Sequence, residues 1–127
     1  MPRYAHIIGW GKYAPPNIVT NDELAKKIET TDEWIRERTG IAQRHVASEK
    51  ESTATMAISA ARTAIESAGV SPMELDLVIV ATVTPEYQFP ATACLVQSAI
   101  GAERAGAFDL EAGCSGFVYA LATAAGM

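Results

Sequence analysis

A chain of 127 residues, 49% hydrophobic and 20% charged, has the composition of a globular domain or part of one, not of a disordered segment. Its net charge of −5 argues against nucleic acid as a partner, because neutralising phosphates takes a basic surface. Two cysteines make no disulfide framework, the N-terminus carries no signal-peptide pattern, and no apolar run is long enough to cross a bilayer; a soluble cytoplasmic protein with reduced thiols and no membrane insertion is expected.

In chain order, residues 4–10 (YAHIIGW) read as a short strand, which Pro15 and Pro16 end. Thr20 with Glu23 is a capping-box pattern and opens a short helix through Ile28. Thr30 with Glu33 repeats the pattern ahead of a second short helix, which Gly40 stops. Residues 41–46 alternate like a half-buried strand. Lys26, Lys27, Arg36, Arg38, Arg44 and Lys50 fall in this region, but Glu29, Asp32, Glu33, Glu37 and Glu49 lie among them, so a mixed solvated face is expected before an anion site.

Residues 52–68 carry the clearest helix signal. Ala57, Ala60, Ala61, Ala64, Ile65 and Ala68 form a stripe of mostly small residues, which predicts close packing against a neighbour, and Gly69 is the expected C-cap. After a turn at Ser71-Pro72, LDLVIVATV (75–83) is a continuous branched apolar run, the pattern of a strand covered on both faces in a parallel sheet. A loop (84–90), a buried helix (91–100), a strand (105–110) and a last helix (113–126) follow. This alternation implies right-handed βαβ crossovers and a layered α/β fold. The last helix has no polar face and must be covered on every side, for which this chain holds too little material. The expectation is a fragment lacking its C-terminal part, or a chain covered by another subunit.

Cys114 stands where the strand 105–110 passes into that helix, with Gly113 before it and Gly116 two places after. A cysteine at a helix start meets unpaired N–H groups and the positive end of the helix dipole, which favour the nucleophilic thiolate. The same N–H groups can hold an oxyanion. The two glycines would leave the approach uncrowded. Equally, a cysteine in apolar surroundings often serves as a small core residue. A nucleophile also needs a partner, and neither His6 nor His45 is tied to Cys114 by sequence.

Three stretches, TNDELAKKIETTDEWIRERTGIAQRH (20–45), FPATACLVQ (89–97) and AFDLEAGCSGFVYAL (107–121), resemble the N-terminal part of β-ketoacyl-acyl carrier protein synthase III, a member of the thiolase superfamily. The resemblance runs over essentially the whole chain, in order and spacing. It implies a thiolase-like layered α/β/α/β/α fold built from two similar halves, with residues 1–127 as an incomplete N-terminal half. It also implies that Cys114 accepts an acyl group from acyl-coenzyme A, and that the acyl-enzyme condenses with malonyl-acyl carrier protein as decarboxylation supplies the carbanion, so starting a fatty-acid chain. Trp34 and Arg38 match positions that grip the adenine end of coenzyme A, with Thr30 nearby, and Phe89 matches a dimer-interface position that reaches the partner's acyl pocket. Read from the residues alone, Trp34 could anchor its helix, Arg38 could pair with Glu37 or Asp32, Thr30 could only cap, and Phe89 could be a core aromatic.

The resemblance implies no metal and no cofactor, since both thioesters are substrates, and a homodimer at full length. Several departures bear on activity. The family's catalytic histidine and asparagine and its glycine-rich oxyanion loop have no counterpart here, and position 42 is alanine where some relatives carry a basic residue. The 127-residue chain alone is therefore expected not to condense anything. The rivals are another thiolase-superfamily acyltransferase, such as a hydroxymethylglutaryl-coenzyme A synthase or a polyketide-type synthase, and a non-catalytic truncated interaction subunit.

Overall fold

A computed structural model describes residues 5–127. They fall into two compact units, one of Ala14–Glu51 and the other of the segment up to Tyr13 together with Ser52–Met127.

The smaller unit holds strand β1 (Ile18–Thr20), helices α1 (Asn21–Ala25) and α2 (Asp32–Thr39), and strand β2 (Gln43–His45). β1 and β2 pair antiparallel, with Ile18 opposite His45 and Thr20 opposite Gln43. The Thr20–Glu23 capping box forms as expected: the Thr20 hydroxyl accepts from the Glu23 N–H, and the Glu23 carboxylate accepts from the Thr20 N–H at 2.8 Å. That exchange holds the Glu23 carboxyl below its ordinary value. The helix stops at Ala25 rather than Ile28, because Lys27 and Ile28 both turn their N–H groups to the Leu24 carbonyl and close the last turn. The second cap is Thr31, not Thr30: the Thr31 hydroxyl accepts from Trp34 N–H at 3.1 Å, and Gly40 ends α2 in the left-handed region at φ 72°.

A single buried amide ties this unit together. Asn21, 1% exposed, donates through Nδ2 to Asp32 Oδ1 at 2.7 Å and to the Ile41 carbonyl at 2.8 Å. Its Oδ1 accepts from Arg44 Nη2 at 2.6 Å, and Arg44 Nη1 donates to the Val19 carbonyl at 3.2 Å. Asp32 also receives the Arg36 guanidinium, and the bonds from Asn21 and Arg36 hold its carboxyl below the ordinary range. Arg36 and Arg44, two of the six basic residues in this stretch, are thus engaged inside the unit.

The larger unit holds α3 (Thr53–Ala68), β3 (Leu77–Ala81), α4 (Thr92–Ile100), β4 (Gly106–Leu110) and α5 (Gly116–Gly126), with short 3-10 turns at Pro72–Glu74 and Gly113–Ser115. β3 and β4 are parallel, Leu77 opposite Gly106 through Ala81 opposite Leu110. Val78 and Val80 pack with Val96, Ile100 and Ala102 and with Ala57, Ile58, Ala61 and Ile65 of α3. Ala81, which points to the other face by strand alternation, meets α5 at Gly116. Two helices therefore cover one face of the strand pair and α5 covers the other, the helix–sheet–helix layering expected from the alternating sequence.

Residues 5–10 form no strand, contrary to expectation, and Tyr4 lies outside the described residues. A strand needs a paired neighbour, and none flanks this segment among the described residues. It lies against α3 instead. A Cβ added at Gly11 would sit 2.2 Å from the Ala60 carbonyl oxygen and 2.6 Å from Ala64 N; one added at Gly9 would sit 2.6 Å from the Ala64 carbonyl oxygen. The small-residue stripe of α3 is thus met by glycines of equal economy. α4 begins at Thr92, β3 spans less than the apolar run 75–83, and Gly69 caps α3 at φ 66° as expected.

Candidate active site

The strand-to-helix junction after β4 is built from two glycines with different tasks. Gly113 takes φ 52°, in the left-handed region, and a Cβ there would meet nothing within 4 Å, so its role is conformational. Gly116 is buried, and a Cβ there would lie 3.2 Å from Ala81 Cβ, so its role is to let α5 come close to β3. An uncrowded approach for substrate is therefore not what both glycines supply: Gly113 turns the chain and Gly116 seats the helix.

Between them Cys114 sits in a 3-10 turn that runs directly into α5, so the helix expected at 113–126 opens as a 3-10 turn and becomes α-helical only at Gly116. Cys114 is exposed in this chain. Neither the 3-10 turn nor α5 carries a side-chain cap, but the Ser115 N–H bonds the Ala112 carbonyl at 3.1 Å and the Gly116 N–H bonds the Gly113 carbonyl, so the N–H groups ahead of these bonds are those of Gly113 and Cys114. Cys114 is among the residues lining a groove of about 810 Å³ that runs along the edge of β3 away from β4, with Ala57 and Ala61 of α3 on one side and Phe117 and Leu121 of α5 on the other. Its walls are mostly apolar. Among the described residues no side chain hydrogen-bonds the Cys114 sulfur; His45 is engaged elsewhere, its Nδ1–H donating to the Pro15 carbonyl at 2.5 Å.

Two carboxylates brace this region. Asp109, in β4, accepts from the N–H groups of Thr92 and Ala93 at 2.7 Å each. These are the first two residues of α4, whose own N-cap, Ala91, has no side chain to offer. Glu86 accepts from the Ala54 N–H at the start of α3. Burial pushes the Glu86 carboxyl up, but bonding by Ser52 and the backbone N–H groups of Ala54 and Glu86 outweighs it, and the group is held below its ordinary value. The Thr92 hydroxyl, near Glu86, adds to that lowering without forming a hydrogen bond of ordinary geometry. Sequence reasoning missed both residues, although a charge inside the otherwise apolar AGAFDL was a signal.

Phe89 is 89% exposed on the loop before α4 and does not line the groove. In the smaller unit, Glu29, Thr30, Thr31 and Trp34 line a recess of about 230 Å³. Trp34 is 53% exposed and does not anchor α2 to a core; Ile35 is the buried residue there. The Arg38 guanidinium lies 4.9 Å from the centre of the Trp34 ring, so its neighbour is the indole. Asp32, a suggested ion-pair partner of Arg38, is taken by Arg36. The recess offers an exposed indole and threonine hydroxyls to a flat base, with the Glu29 carboxylate in its wall and Arg38 on the Trp34 ring outside its lining.

No protein-family model matches the chain. It is 51% identical over 124 residues to the β-ketoacyl-[acyl-carrier-protein] synthase III of Methylococcus capsulatus, covering 98% of this chain and 39% of that protein. The crystal structure of 3-oxoacyl-[acyl-carrier-protein] synthase III from Aquifex aeolicus VF5 superposes with a TM-score of 0.89 at 52% identity, over 93% of this chain and 38% of that one. The priming β-ketosynthase of the R1128 polyketide biosynthetic pathway superposes with a TM-score of 0.92 at 42% identity, over 97% of this chain and 37% of that one. The thiolase-like layering expected from the resemblance is thus present over the matched residues. The chain belongs to the β-ketoacyl-[acyl-carrier-protein] synthase III family, and it spans a little over a third of the length of the relatives it matches.

Proposed function

We propose that this chain carries the acyl-accepting part of a β-ketoacyl-acyl carrier protein synthase III, with Cys114 as the nucleophile. The observation that carries the reading is an exposed cysteine at an uncapped helix start, opening onto an apolar groove. The thiolate attacks the thioester carbonyl of acyl-coenzyme A, and the backbone N–H of Cys114 at the turn helps hold the oxyanion. The S–C bond to Cys114 forms as the bond to coenzyme A breaks, and the coenzyme A thiolate leaves. Malonyl-acyl carrier protein then loses carbon dioxide, its carbanion attacks the acyl carbon, and the Cys114 thiolate is released with the β-ketoacyl product. Trp34, Arg38 and Thr30 hold the adenine end of coenzyme A, and Phe89, on an exposed loop, faces a second copy of the protein. Residues beyond this chain supply the charge stabilisation for decarboxylation, so residues 1–127 are an incomplete N-terminal half and do not condense alone. The setting is the cytoplasm and the full-length enzyme a homodimer. No helix among the described residues is long and apolar enough to cross a membrane.

The likeness to a polyketide priming ketosynthase supports a second reading with the same cysteine chemistry and a different carrier. The test is condensation by the full-length protein with acetyl-coenzyme A and malonyl-acyl carrier protein. Formation of the β-ketoacyl carrier, lost in Cys114→Ala, supports the fatty-acid reading. Activity only with a polyketide carrier protein moves the assignment to the second, and a folded protein active with neither sinks both.

A further inference from the structure

Asp109 stands in β4 on the face toward α4, opposite Val80, which packs on that side of the sheet. Its two carboxylate oxygens each take one buried N–H, from Thr92 and Ala93, which are 1% and 0% exposed. Thr92 begins α4 three residues after Phe89, and Asp109 precedes Cys114 by five residues along the strand and turn that carry it. One side chain therefore fastens the loop presenting Phe89 to the segment delivering Cys114. A cap supplied by the helix's own N-cap residue would satisfy the same N–H groups without that link, yet position 91 is alanine. Asparagine would put an NH2 donor in place of one of the two acceptor oxygens, against a backbone N–H.

We infer that Asp109 is a positioning residue for the Cys114 reaction, a tether whose loss lets the Phe89 loop and the Cys114 turn move independently. This rests on the reading of Cys114 as nucleophile, and two measurements on the full-length protein separate the failure of one from the failure of the other. The first is hydrogen exchange, which needs no activity. Asp109→Asn raises exchange in residues 89–94 and in 111–116. Adding Ala91→Ser, which restores a local N-cap, recovers 92–94 while 111–116 stays raised. The second is the rate of acyl transfer to Cys114. Asp109→Asn lowers it at saturating acyl-coenzyme A by about tenfold or more, since a misplacement near 1 Å suffices for that, with KM unchanged. Ala91→Ser in that background brings back the melting temperature but not the rate. Recovery of both exchange in 111–116 and rate by Ala91→Ser would overturn the inference, leaving Asp109 a helix cap. So would an Asp109→Asn protein with wild-type exchange at 111–116. A wild-type protein that never acylates Cys114 defeats the nucleophile reading alone, and the exchange data still decide whether the tether exists.

Discussion

The two units are held by opposite means. Residues 14–51 depend on one buried amide, Asn21, that gathers two side chains and a backbone carbonyl. The larger unit depends on close backbone approach, at Gly9 and Gly11 on α3 and at Gly116 on β3, with carboxylates closing the helix starts. A small unit with little apolar material buys its shape with directional bonds, whereas a layered unit can use contact. The first is sensitive to lost polar atoms and the second to added methyl groups.

Gly11→Ala should break the second hardest. Its Cβ would strike the Ala60 carbonyl and Ala64 N, backbone atoms that cannot swing aside. A loss of about 3 kcal/mol is expected in denaturant unfolding of the full-length protein. Asn21→Ala should cost about 2–3 kcal/mol by leaving its former partners unpaired. In an NMR titration the same variant should also move the Asp32 carboxyl up toward its ordinary value of 3.8, because Asn21 is the chief cause of its lowering.

Gly113→Ala sharpens the comparison inside the larger unit. No atom obstructs its Cβ, so only the φ of 52° resists, at about 1 kcal/mol. The equal swap at Gly11 should cost clearly more, and matching melting-temperature losses would contradict the division between packing and turn glycines.

The smallest effect concerns acid. Glu86 is held below its ordinary 4.5, so it stabilises the fold above that pH and the contribution fades as pH falls through the folded value. Glu86→Gln should lower stability at neutral pH and flatten, without abolishing, the acid slope, because Asp32 and Glu23 are lowered too. A parallel acid slope in Glu86→Gln would show that the α3 start does not depend on that charge.

Legibility in the sequence followed the range of the interactions. The alanine stripe of α3 and the branched run of β3 announce themselves by local period, and the parallel pair followed from their alternation. β1 escaped because three residues carry no period, and its partner lies some 25 positions on. Thr30 and Thr31 are adjacent, and only geometry chooses Thr31 as the cap. Cys114 was readable as a candidate because its neighbours are special in type. That Gly113 turns while Gly116 packs was not readable, since Ala81 is far off in the chain. Asp109 was invisible as a tether for the same reason, its N–H donors being 16 and 17 residues away.

The most direct measurement is peptide mass mapping of the full-length protein after brief exposure to acetyl-coenzyme A. One acetyl group is expected on the peptide holding Cys114 and none in Cys114→Ala. A folded protein that acquires no acetyl group, or acquires it on Cys94 instead, would contradict it.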